Sequence, residues 1–408
     1  MRICLLCYRG NPYCGGQGIY IYYLARELHN QGHEVHIISG PPYPDVAEGV
    51  ILHPVESLNL YETGDSLLKS LSRVRNPIDF YEFAAVCLGT FPEPLAFSLR
   101  AYRRIREIIK EYRFDIIHDN QCLGYGLLMM KRLGIPVVAT IHHPIPIDRD
   151  LEVSQAEGLW EKFRLRRWYS FCFMQGIVSR RMERVITVSQ SSVDAIERSL
   201  KVPRDRLRMV YNGIDCNFFK NDDSVAKEPK SLILVNSSEQ SVKGVSYLLK
   251  ALQLLKNGTD VRLKVVGTPS PDGQNMKLVE EYGLQDIVTF TGRVTMEELV
   301  RHYVSAEICV VPSIYEGFGL PAAEAMSCKL PVVSTSGGAL PEVVGRDGDS
   351  GFIVPPADPA AIASAVERLL EDENLRRQMG EAGRKRIEEN FTWEQAARET
   401  LEVYREVL

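Results

Sequence analysis

Short apolar runs rich in β-branched residues alternate along this chain with stretches whose apolar positions recur at helical spacing. The runs fall at 2–8, 34–39, 115–118, 136–141, 184–188 and 208–211, and again at 231–236, 261–266, 287–290, 308–311, 331–335 and 352–354. Their apolar residues are continuous, as in strands covered on both faces. Between them lie helix-period stretches, among them 17–31, 99–112, 243–256, 296–304, 359–371 and 393–407. Strands joined by crossover helices make parallel sheets, so two series predict two α/β, doubly wound parallel-sheet domains.

The break falls where Tyr211-Asn-Gly-Ile-Asp215 reads as a turn and the charged stretch KNDDSVAKEPK follows. The expected organisation is a first domain over 1–211, a linker over 212–230, a second domain over 231–390 and a last helix over 391–408. Residues 41–98, with PPYP, NPIDF and FPEP, read as loops with short helices. The length of 408 residues suits two domains. No apolar run nears the roughly 20 residues of a membrane span. The start, MRICLLCYRG, is too short and strand-like for a signal peptide, so the expected location is cytoplasmic. Of nine cysteines, Cys4 and Cys7 form C-x-x-C, but on a strand they point to opposite faces, which predicts buried, reduced thiols.

A net charge of −5 argues against a nucleic-acid partner. Residues 1–211 carry 27 Lys+Arg against 23 Asp+Glu, and the remainder 21 against 30. Within 163–184, Arg164, Arg166 and Arg167 stand beside Trp168, Tyr169, Phe171 and Phe173. Such a segment can seat a helix at an anionic bilayer and hold a protein to the inner membrane face. A core helix with a solvated basic face is the simpler reading.

The strongest candidate chemistry is Glu316-Gly-Phe-Gly-Leu-Pro-Ala-Ala-Glu324, placed after a strand. Gly317 and Gly319 let backbone approach a ligand, and Pro321 suits a first helical turn. Amides at that helix start favour an anion, while the two carboxylates accept from sugar or ribose hydroxyls. Lys243 opens a helix after strand 231–236, where an ammonium can neutralise a departing diphosphate. Gly15-Gly16-Gln17-Gly18 is a second glycine-rich strand-to-helix turn, and Thr335-Ser336-Gly337-Gly338 a third. His142 and His143 end one strand and His118 another, where ligands of open parallel sheets bind. Asp148-Arg-Asp150 and Asp347-Gly-Asp349 have the D-x-D form of metal-assisted sites, but turn chemistry explains both more simply.

These residues resemble the retaining glycosyltransferases of family 4. The resemblance spans nearly the whole chain through GGQG with its helix and GHEV, NGID, VKG, TGRVTMEEL, PSIYEGFGLPAAEAM and PVVSTSGGALPEVV. It implies the GT-B fold, with two Rossmann-like domains facing across a cleft and a last helix returning to the first domain. By the same resemblance Glu316 contacts the donor sugar, and Gly317, Phe318, Gly319 and Leu320 line sugar and diphosphate. Glu324 takes the ribose hydroxyls, Lys243 the diphosphate, and Gly16 reaches a phosphate. Arg293 and Val294 lie beside the nucleobase, and His142 near the donor sugar. Gln17, His118 and His143 are acceptor-side candidates. The family usually has arginine where Ser238 stands here, a donor-site position, and often glycine at the place of Lys329.

The expected activity is transfer of a hexose from a nucleotide diphosphate sugar to an acceptor hydroxyl, with retention and without metal or cofactor. A uridine diphosphate sugar is the favoured donor and guanosine diphosphate mannose the other. The acceptor is a glycan, lipid or small molecule. His142, Lys243 and Glu316 are the expected catalytic residues. A sugar-nucleotide epimerase on the same fold would instead show turnover of donor alone. A non-catalytic sugar-nucleotide-binding protein would show binding without transfer.

Overall fold

A computed structural model describes residues 1–11, 16–61, 67–236, 241–255, 260–270 and 273–408. They form two compact units. One comprises Met1–Val188, Ser192–Val210 and Ala396–Leu408; the other comprises Ser189–Ser191 and Tyr211–Gln395.

The first unit holds β1 (Arg2–Cys7), β2 (Glu34–Ser39), β3 (Ile51–Pro54), β4 (Ile116–Asn120), β5 (Val137–Ile141), β6 (Val185–Thr187) and β7 (Leu207–Met209). They make one parallel sheet in the order β3-β2-β1-β4-β5-β6-β7. Progress across the sheet reverses between β1 and β4, the place where open sheets leave a ligand crevice beyond the strands' carboxyl ends. The second unit holds β8 (Ser231–Val235), β9 (Arg262–Val266), β10 (Val288–Phe290), β11 (Ile308–Val311), β12 (Val332–Thr335) and β13 (Gly351–Val354). Its parallel order, β10-β9-β8-β11-β12-β13, reverses between β8 and β11.

The apolar runs return as strands with ends shifted by a residue or two, and two departures matter. The irregular stretch 41–98 contains β3 beside helices Leu67–Ser72 and Pro77–Cys87. β3 is an edge strand, where Pro54 forfeits no ladder bond on its outer side. More important for function, β4 runs two residues past its apolar run. His118 therefore lies inside the strand, and Asn120 ends it.

Each sheet is closed by amphipathic helices. The helix Gly16–Asn30 buries Tyr20, Ile21, Leu24, Ala25 and Leu28, one face at helical spacing. Gly18 lets it start close to the preceding chain: a Cβ there would lie 2.0 Å from the Asn11 carbonyl oxygen. The helix Glu93–Tyr112 adds Phe97, Ala101 and Ile105 to a core shared with Leu6, Ile38, Ile117 and Ile141. In the second unit Leu248, Leu249 and Leu252 pack with Leu232, Leu234 and Val310. Each such side chain contributes about 1.5–3 kcal/mol on burial.

Ala396–Leu408, the later part of the helix Trp393–Arg405 and the residues after it, belongs to the first unit. Tyr404 is fully buried there, and the Glu406 carboxylate is held down to about 2 by its bonds to Arg208 and Arg184. Segment 163–184 divides between helices Leu159–Trp168 and Phe171–Ser179. Cys172, Met174 and Val178 enter the core, while Phe163 and Phe173 are exposed. Cys4 and Cys7 are buried and unpaired. Among the described residues no helix is long and apolar enough to cross a membrane.

Candidate active site

In the second unit, loops leaving three neighbouring strands are packed backbone to backbone. Ser241–Lys243 forms a short 3-10 turn after β8; Ser238 lies outside the described residues. The Ile314 N–H donates to the Val242 carbonyl at 2.7 Å, which ties this turn to the loop after β11. Gly244, at φ +67°, permits the contact, since a Cβ would lie 2.0 Å from the Pro312 carbonyl oxygen. Gly338, at φ +63°, does the same for the loop after β12. Its Cβ would lie 2.2 Å from the Glu316 carbonyl oxygen, which accepts from the Ala339 N–H at 2.9 Å.

This packing brings two of the expected residues together across the switch point between β8 and β11. The Lys243 Nζ donates to Glu316 Oε1 at 2.9 Å, and Ser313 Oγ donates to the same oxygen at 2.8 Å. Glu316 is buried and Lys243 half-buried, so their attraction is screened less than on an open surface. Ser313 is itself held, because Thr335 Oγ1 donates to its carbonyl. Beyond Glu316, the Gly317 carbonyl accepts from Ser189 Oγ at 2.7 Å and Phe318 is buried. Gly319, at φ +99°, caps the helix Leu320–Ser327, with Pro321 in its first turn. The helix thus starts within four residues of the Lys243–Glu316 pair; in its first turn the Ala322 and Ala323 N–H groups donate to the Gly319 carbonyl at 3.0 and 3.2 Å, and the positive end of the helix dipole lies there.

Glu324 lies one turn into that helix, turned inward: Tyr303 Oη donates to its Oε2 at 2.9 Å. Burial raises its carboxyl to about 7, against the opposing effect of the Tyr303 bond. Tyr303, which the sequence did not single out, is fully buried. Arg293 and Val294 follow β10, two strands out from β8, and Arg293 is exposed. Lys329 sits at φ +58°, which explains why glycine suits this helix end. Asp347 accepts from the Ile353 N–H at 2.8 Å, an ordinary turn bond.

In the first unit, Gly16 and Gln17 begin the helix after β1, and His142 and His143 follow β5. His142 Nε2 lies 2.6 Å from Asn120 Oδ1, and the edge of Tyr20 packs against the ring at 4.4 Å between centroids. Burial pushes the His142 imidazole down to about 3, so it is neutral near pH 7. His143 Nε2 is paired with Asp148 Oδ1 at 2.7 Å. His118 is not at a strand end: it is fully buried, with Nδ1 on Tyr404 Oη and Nε2 on Thr140 Oγ1. The polar groups at the end of β4 are instead Asn120 and Gln121, which sequence reasoning missed. Their signal was available, as polar residues closing an apolar strand that borders the switch point.

The family model described as Glycosyltransferase Family 4 matches residues 14–218, and that described as Glycosyl transferases group 1 matches 217–386. The chain is 41% identical over 410 residues to an MMP alpha-(1->4)-mannosyltransferase of Mycolicibacterium hassiacum, covering 100% of this chain and 98% of that one. Among solved structures, sucrose-phosphate synthase from Thermosynechococcus elongatus matches with a TM-score of 0.76 at 24% identity, covering 100% and 98% of the two chains. Anabaena HepE in complex with UDP-glucose matches with a TM-score of 0.71 at 16% identity over all of both chains. These two likenesses show the fold.

Proposed function

The chain belongs to glycosyltransferase family 4 and is a transferase of the GT-B fold; from that premise we propose that it moves a hexose from a nucleoside diphosphate sugar to an acceptor hydroxyl. The observation that carries this reading is the Lys243–Glu316 contact at a switch point beside a helix start. As the glycosidic bond breaks, negative charge grows on the departing diphosphate. The Lys243 ammonium and the helix-start amides counter it without a metal. Glu316, released from Lys243 by the incoming phosphates, accepts from sugar hydroxyls, and Glu324 from those of the ribose. Arg293 and Val294 border the base. In the first unit, neutral His142 is assigned to the substrate.

The 41% identical relative is named for making an α-(1→4) mannosyl bond. That favours mannose as the sugar and makes guanosine diphosphate mannose the first donor to test, ahead of a uridine diphosphate sugar. If the donor is an α-linked sugar nucleotide, an α product is the outcome of retention. The test is transfer to an oligosaccharide acceptor with the product's anomeric configuration read by NMR. An α linkage is expected; a β linkage would remove retention from the proposal.

Nucleotide affinity is expected to depend on pH through Glu324. Ribose hydroxyls donate to the ionised carboxylate, which burial holds near 7. Affinity therefore falls as pH drops below about 7, by up to about tenfold per unit, and levels off above it. Tyr303→Phe removes a donor that favours the ionised form and should move the fall to higher pH. Calorimetric titration across this range checks both; a flat profile would detach Glu324 from the ribose.

A further inference from the structure

The side chains of Asn120 and Gln121 are engaged at both ends, and their partners fix which atom is which. Asn120 Nδ2 lies 3.1 Å from the Gln17 carbonyl oxygen, an atom that can only accept. The amide nitrogen must face it, so Oδ1 is the atom 2.6 Å from His142 Nε2. A carbonyl oxygen cannot donate, so Nε2 carries the proton. In a neutral imidazole the lone pair is then on Nδ1. Gln121 grips the backbone of the same segment. Its Oε1 accepts from the His142 N–H at 2.6 Å and the His143 N–H at 3.3 Å, while its Nε2 donates to the His143 carbonyl at 2.6 Å. The strand pair β4 and β5 therefore delivers one amide to the imidazole and one to its main chain.

We propose that Asn120 and Gln121 are positioning residues that hold His142 as its Nε2–H tautomer, so that Nδ1 meets substrate as a hydrogen-bond acceptor. Asn120 also links His142 to the start of the helix Gly16–Asn30 through Gln17. The acceptor at Nδ1 suits a sugar hydroxyl, which can donate to it. A positively charged ligand group without a proton to give would find no bond there. Among the described residues, the titratable groups that act on the ring are Tyr20 and His118, both buried, and neither is a carboxylate that would favour an imidazolium.

This inference rests on His142 facing substrate, and the two fail separately. Nitrogen-15 NMR of the histidines in the full-length protein reads the tautomer without turnover. The expected spectrum has His142 Nε2 protonated and Nδ1 unprotonated near neutral pH; the opposite pattern overturns the proposal. Asn120→Asp keeps an acceptor at Nε2 but loses the donor to Gln17 and adds a charge that favours the imidazolium. Its kcat should fall roughly tenfold to a hundredfold with donor KM little changed. Its acid limb should move to higher pH, as protonation removes the Nδ1 lone pair. A pH profile superimposable on wild type overturns the proposal. Asn120→Gln, too long for both bonds at once, should lose the single tautomer in the NMR spectrum, and retention of it would also overturn the proposal. Full activity of His142→Ala, by contrast, would remove the functional reading while leaving the tautomer measurement intact.

Discussion

Lys243→Ala should lower kcat/KM by about 10²–10³-fold, the usual cost of losing one preorganised group that stabilises developing charge. Most of the loss should appear in kcat, because charge on the diphosphate is larger in the transition state than in the bound donor. Glu316→Ala should be comparably damaging for a different reason, the loss of its hydrogen bonds to the sugar. Because the incoming phosphates part the two side chains and each then meets a different part of the donor, the double variant should lose close to the sum of the two single effects. The fold should survive. Lys243 is half-buried, and without it Glu316 Oε1 still accepts from Ser313. Steady-state rates and thermal unfolding of the three variants check this. Wild-type activity in Lys243→Ala would separate this residue from the chemistry.

Gly338→Ala should abolish transfer without touching any functional side chain. The residue sits at φ +63°, which costs a non-glycine residue about 1–2 kcal/mol. Its new Cβ would also lie 2.2 Å from the Glu316 carbonyl oxygen and 2.7 Å from the Glu316 nitrogen. Those are backbone atoms, so relief requires the Glu316 loop to move. Gly348→Ala is the control: φ is +90° there, but nothing lies within 4 Å of the added carbon. It should show a modest loss of melting temperature and nearly full activity. Equal activity in the two variants would mean that the loop after β12 does not set Glu316.

The contrast between those glycines also shows what the chain makes legible. Buried parallel strands are written as continuous apolar runs, and so β1, β2 and β11 were readable to within a residue. The glycines and carboxylates of the segment 316–324 were readable because turn conformation and helix start demand particular residues at fixed spacing. Partners distant in sequence leave no such pattern. Tyr303 reads as another apolar position of an amphipathic helix, although its hydroxyl supports Glu324. Ser313 looks like a turn residue, yet it fixes one oxygen of Glu316. The apolar run stops at His118, so the sequence alone places a strand end there. The backbone ladder continues through Asp119 and Asn120, since a strand's length is set by its pairing with β5 rather than by apolar character.

In the proposed reaction the second unit takes up the diphosphate through Lys243. Calorimetric comparison of a nucleoside diphosphate with the matching monophosphate tests it most directly. In the wild-type protein the diphosphate should bind at least about tenfold more tightly, and in Lys243→Ala that advantage should largely vanish. An advantage of the same size in both proteins would mean that Lys243 does not hold the diphosphate.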